Sequence, residues 1–142
     1  MSLTSYIGSN VSIEEKGYEE EPVEGEIFVG PSFSDEGSLD EVKEAQFSTT
    51  YVYEVTYNSW GMELSPYQDE KFYEENKTGL HQVCEMMDSY LDVGEFFEFY
   101  TCWVGDEFNS KEAEITLPIR DWYTEGMELR EQTLIRFVKN GS

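Results

Sequence analysis

Positive charge is what this sequence has least of. Nine Lys and Arg stand against 31 Asp and Glu, a formal charge of -22 over 142 residues. Nucleic acids and anionic membrane surfaces are held by neutralising their phosphates, so neither is an expected partner. Histidine is nearly absent too. His81 is the single candidate base, and beside Leu80 at the start of an apolar-periodic run it is expected to pack or cap rather than to catalyse. Two cysteines and one histidine form neither C-x-x-C nor H-E-x-x-H, so no zinc site is expected. The loop pairs Asp35-Glu36 and Asp106-Glu107 offer oxygen ligands, but the D-x-[DN]-x-[DN]-G calcium loop is missing. Neither glycine-rich phosphate loop occurs, and no cofactor is expected. No stretch approaches the roughly 20 apolar residues of a membrane span, and the opening M-S-L-T-S-Y-I-G-S-N has no basic leader. A cytoplasmic protein is the expectation.

Aromatic residues, by contrast, are plentiful. They make up 15% of the chain within a hydrophobic share of 39%, which separates it from the aromatic-poor acidic chains that stay disordered. Residues 1–142 have the length of one domain able to bury a core without metals or disulfides. Cys84 and Cys102 fall on apolar positions of a leaderless chain and are expected as free thiols.

The organising stretch runs from Lys77 to Val104. Leu80, Val83, Cys84, Met87, Tyr90 and Leu91 share one helical face by their three- and four-residue spacing. Gly94 suits a left-handed helix stop, and Phe96, Phe97, Phe99, Tyr100, Cys102, Trp103 and Val104 then place apolar groups on both faces of a strand, as a central strand requires. Earlier, Leu3 to Gly8 reads as a short strand or arm, 12–26 as an exposed acidic segment, and Ile27 to Val29 as a short strand. Ser38 and Glu41 suggest a capping box for a helical turn over 39–45. Phe47 to Tyr57 alternates with period two as a long strand, with 62–64 as a short continuation and 66–76 as an acidic connection. A turn over 105–110 points to a hairpin returning through Glu112 to Leu117, and Thr133 to Val138 makes the last strand. The expected fold is a single α+β domain whose antiparallel sheet packs on one main helix at about 77–93.

Chemistry is harder to find. With 31 carboxylates, a pair at glycosidase spacing arises by chance, and the aromatics of 47–57 read as one buried sheet face before they read as a sugar platform. The acidity does suit basic proteins, whose association it can accelerate to roughly 10⁸–10⁹ M⁻¹s⁻¹ at low salt.

T-Y-V-Y-E-V-T-Y-N-S-W-G-M-E-L, G-L-H-Q-V-C-E-M-M-D-S-Y-L and G-E-F-F-E-F-Y-T-C-W-V-G-D-E, in that order, resemble small acidic immunity proteins, the cytosolic partners of bacterial polymorphic toxins including contact-dependent growth inhibition systems. The resemblance spans Phe47 to Glu107 and the strand Thr133 to Val138, and rests mainly on aromatic and glycine positions. It implies a non-catalytic protein that occludes a cognate toxin, often a basic nuclease domain. Charge density and expected exposure nominate Glu14, Glu15, Glu19, Glu20, Glu21, Asp35, Glu36, Asp69, Glu70, Glu74, Glu75, Asp106 and Glu107 as partner contacts. The alternative is a nucleic-acid mimic that inhibits a restriction or CRISPR nuclease, with an enzyme as the third class.

Overall fold

The computed structural model describes residues 3–13, 25–30, 43–57, 62–64, 69–103, 111–124 and 127–139. Its strands are β1 (Leu3–Ser9), β2 (Ile27–Gly30), β3 (Tyr51–Tyr57), β4 (Phe96–Trp103), β5 (Ala113–Pro118) and β6 (Thr133–Val138), and its main helix is α1 (Glu70–Tyr90). A helical turn covers 43–46. The strands form one six-stranded sheet in the order β2-β3-β1-β4-β6-β5.

The mixed α and β class stands, and the finer expectation changes in three ways. First, the sheet is mixed: β5 pairs parallel with β6, whereas the other neighbours are antiparallel. The expected β4–β5 hairpin does not form, because β6 takes the edge of β4 and stacks Phe137 on Phe97 at 4.9 Å. A parallel pair needs a crossover, and the described residues between β5 and β6, 119–124 and 127–132, belong to it. Second, of the strand or arm expected at Leu3 to Gly8 the strand forms, and it is central rather than peripheral. It lies between β3 and β4 with Tyr6 and Ile7 fully buried. Third, the sheet dominates, and α1 shares one face with the crossover: Ile119, Trp122 and Leu129 join Leu80, Val83, Cys84, Met87 and Leu91 over Ile7, Val55, Phe97, Phe99 and Phe137.

Element ends shift for identifiable reasons. Asp69 caps α1, its side chain accepting from the Lys71 amide at 3.4 Å, so the expected connection over 66–76 is helical from Glu70. The helix closes at Tyr90, where Lys139 Nζ reaches the Asp88 and Leu91 carbonyls at 2.7 Å each. Gly94, with φ +94°, serves the following turn rather than the helix stop. β3 begins at Tyr51, and Phe47 turns its ring edge-on to Tyr100 on the opposite sheet face. Leu64 makes an isolated bridge to Leu129 instead of continuing β3. Pro118 ends β5 at the sheet edge, where a missing donor is tolerated.

The face away from α1 buries Tyr6, Val52, Tyr100, Cys102 and Leu134, and also the carboxylates of Glu54 and Glu98. Cys84 and Cys102 therefore sit in separate clusters, and both are free and buried. Among the described residues no helix is long and apolar enough to cross a membrane.

Candidate functional site

Extending α1 back to Glu70 lines up Tyr73, Lys77, His81 and Glu85 at intervals of four, one stripe along the helix. The stripe meets the crossover. Tyr73 donates its hydroxyl to the Met127 carbonyl at 2.7 Å and lies 3.4 Å from the Tyr123 hydroxyl. Lys77 Nζ stands 4.0 Å above the Tyr123 ring and 3.9 Å from Glu74. His81 packs against Trp122, ring centroids 4.9 Å apart, and Trp122 meets Tyr123 and Phe137 edge-on. His81 thus has the packing role expected of it, although it lies in the middle of the helix and not at its start.

Electrostatics set what these groups can do. Burial, then the neighbouring Tyr123 hydroxyl and the Glu74 and Glu128 carboxylates, pushes the Tyr73 phenol up to about 12, so it remains a neutral donor. Burial pushes the Cys84 thiol up, with Asp88 and Glu85 adding to it, which keeps the sulfur protonated and non-nucleophilic. Burial works to raise the Asp88 carboxyl as well, but hydrogen bonding and charge from Arg120 and Lys139 outweigh it and hold Asp88 below its ordinary value. Arg120 Nη2 lies 3.0 Å from Asp88 Oδ2, and Lys139 Nζ lies 3.4 Å from Oδ1.

Below the stripe, His81, Cys84, Glu85, Asp88, Ile119, Arg120, Asp121 and Trp122 line a cavity of about 140 Å³. Among the described residues Asp121 is one of two non-glycine residues at positive φ, 59°, a conformation Asp tolerates better than most residues. Among the described residues no group of three or more His, Cys, Asp or Glu is placed to hold a metal ion.

The acidic residues nominated from sequence divide accordingly. Glu14, Glu15, Glu19, Glu20, Glu21, Asp35, Glu36, Asp106 and Glu107 lie outside the described residues. Asp69, Glu70, Glu74 and Glu75 come together on the cap and first turns of α1, with Asp69, Glu70 and Glu74 exposed and Glu75 half-buried. Charge alone missed Tyr73, Trp122 and Tyr123, which give this surface its shape. The spacing of Tyr73, Lys77 and His81 was the available signal, hidden once the helix was begun at Lys77. No family model, curated protein or solved structure matches the chain.

Proposed function

We propose that this chain is a non-catalytic binding protein that neutralises a basic protein partner, in the manner of an immunity protein occluding a toxin domain in the cytoplasm. The observation that carries this reading is the α1–crossover surface. There the half-buried rings of Tyr73 and Tyr123 lie among Glu70, Glu74 and Glu128, with Lys77 held over Tyr123. Partly covered tyrosines are the residue type that anchors interfaces, and a carboxylate rim selects and steers a cationic partner. A nuclease domain, which needs a basic cleft for phosphates, is the partner class such a surface suits best.

The test is capture from host lysate at low salt with elution by rising salt, followed by co-expression of the captured protein. Recovery of one basic toxin domain whose toxicity is suppressed supports the reading. Recovery of a restriction or CRISPR nuclease displaced by duplex DNA would replace it with nucleic-acid mimicry, and no salt-eluted partner from a lysate expressing candidates would reduce the acidity to solubility.

A further inference from the structure

The two edges of the sheet are finished differently. At β2 the edge is closed. Phe28 and Val29 are buried, and the Gln82 carboxamide of α1 accepts from the Ile27 amide at 2.9 Å and donates to the Gly25 carbonyl at 2.7 Å. Those are the two bonds that one residue of an added parallel strand would make, so a side chain already stands in the next strand's place. At β5 the edge is open: Ala113, Glu114, Thr116 and Pro118 are exposed, and among the described residues no strand pairs with its outer side.

The ladder decides which groups that edge presents. Pro118 registers with Val138, whose carbonyl accepts from the Ile119 amide at 2.8 Å. Bonding residues alternate along a parallel strand, so Ile115 and Leu117 direct their N–H and C=O groups to β6, while Glu114 and Thr116 turn theirs outward. Pro118 adds an outward carbonyl but no donor.

The side chains give the edge a pattern as well. Ile115 and Leu117 pack half-buried against the core under α1, leaving apolar flanks that a further strand would cover. Glu114 lies on the other face, with Glu112 exposed just before the strand. These two carboxylates stand against one ammonium, that of Lys111, which is 3.2 Å from Glu114 and is also held by the Gln46 carbonyl at 3.2 Å. A residue opposite Glu114 is therefore best cationic, and its neighbours, opposite Ala113 and Ile115, best apolar. A second copy fits poorly, because pairing β5 with itself would bring Glu112 and Glu114 of two chains, each of formal charge -22, into one ladder.

We propose that the outer edge of β5 is a strand-addition site for a basic partner segment, an extended stretch of protein in which lysine or arginine alternates with apolar residues. Main-chain bonds to Glu114 and Thr116 supply the affinity, and the alternating side chains select the sequence. The proposal does not rest on the α1–crossover reading.

The test titrates the full chain with the synthetic peptide acetyl-Thr-Lys-Val-Lys-Val-Lys-Thr-amide and reads backbone NMR signals. Binding should be saturable, and at saturation the Glu114 and Thr116 amides should shift and exchange with solvent about tenfold or more slowly. The same peptide with Glu for Lys should bind about tenfold or more weakly. Thr116→Pro removes an outward N–H without touching the β6 ladder, a change that Pro118 shows is tolerated two residues on, and it should weaken binding by a similar factor. Glu114→Lys, at a side chain that is 60% exposed, should reverse the preference between the two peptides. No saturable binding, equal binding of both peptides by the parent, or full binding by folded Thr116→Pro would overturn the proposal and leave Pro118 and the carboxylates as guards of an unused edge. Protection of the same two amides that grows with protein concentration in the absence of peptide would overturn it in favour of a second copy.

Discussion

Gly79 of α1 lies directly against Tyr57 of β3. A Cβ at position 79 would stand 2.8 Å from Tyr57 Cγ, 2.9 Å from Tyr57 Cβ and 2.7 Å from Met62 Sδ. Glycine in a helix interior costs about 0.5–1 kcal/mol relative to alanine, and here it lets the helix axis approach the sheet where Tyr57, Met62 and Leu80 close the core.

Gly79→Ala should therefore destabilise the protein, against the direction helix propensity alone would give. The tyrosine atoms it meets are close to the backbone and cannot swing away. Overpacking of this kind costs about 1–3 kcal/mol, which exceeds the propensity gain. A urea titration with an unchanged slope and a lower midpoint would agree; a raised midpoint would mean that α1 can move off β3 freely.

This position also explains what the sequence did and did not disclose. The buried face from Leu80 to Leu91 was legible because it repeats at helical spacing, and β4 was legible because apolar residues occupy both its faces. The role of Gly79 was not legible, since nothing in the chain announces that Tyr57 will require a missing side chain. The central place of β1 was also hidden: Ser5 is buried because its hydroxyl meets Thr101 Oγ1 at 2.7 Å and the Met62 amide at 2.8 Å, partners 96 and 57 residues away. The parallel β5–β6 pair is a matter of long-range competition for one strand edge, which turn composition at 105–110 cannot report.

The second prediction concerns an ion pair with a fully buried member. Glu98 is 0% exposed and accepts from the Ser48 amide and hydroxyl at 2.9 and 3.0 Å and from Arg136 Nη2 at 2.8 Å. Arg136→Ala removes the charge partner and leaves the carboxylate behind. Fully buried pairs lose about 3–5 kcal/mol in this way; because Arg136 is 40% exposed and Ser48 stays in place, about 2 kcal/mol is expected. The Lys77–Glu74 pair, with Glu74 60% exposed, provides the contrast, since exposed pairs contribute about 0–1 kcal/mol. Chemical denaturation of both variants should rank them clearly, and a Glu98→Gln/Arg136→Met double variant should recover part of the loss.

Two carboxylates should give opposite pH signatures. Glu63 is raised above 4.5 by burial and then by Glu131, against a backbone hydrogen bond from Glu131 and the charge of Arg130. A folded-state value above the unfolded one gives stability that is complete below 4.5 and is lost as pH rises through the raised value. Glu63→Gln should thus stabilise at pH 7, with the gain vanishing below about pH 4.5. Asp88 is lowered below 3.8, so its contribution is present above that value and lost as pH falls through the folded one. Asp88→Asn should cost stability at pH 7 and nothing in strong acid. Melting each variant against the parent from pH 3 to 8 separates the two, and parallel curves would refute both assignments.

Cys84 and Cys102 offer a simple check on the two cores. Both thiols are buried, one on each side of the sheet, and burial with nearby carboxylates disfavours the Cys84 thiolate. An aromatic disulfide reagent at pH 8 should find neither thiol in the folded protein and both in denaturant. Rapid labelling of one thiol under native conditions would show that its side of the sheet opens locally.

The interface reading predicts a division of kinetic roles on α1. Glu70 and Glu74 are exposed and four residues apart, so their field acts on an approaching partner before contact. Reversing both to Lys should slow association by about tenfold or more and flatten its dependence on salt, because steering is screened over about 8–10 Å at ordinary ionic strength. Tyr123 acts at contact. Its ring is held between Lys77 and Trp122, so Tyr123→Ala should leave association nearly unchanged and speed dissociation, the step through which most interface substitutions act. Tyr123→Phe keeps the ring and should resemble the parent if packing is what matters. Surface plasmon resonance at two salt concentrations resolves the two rate constants. Equal effects of both changes on dissociation would place Glu70 and Glu74 inside the buried contact, and no effect of either would move the interface away from α1.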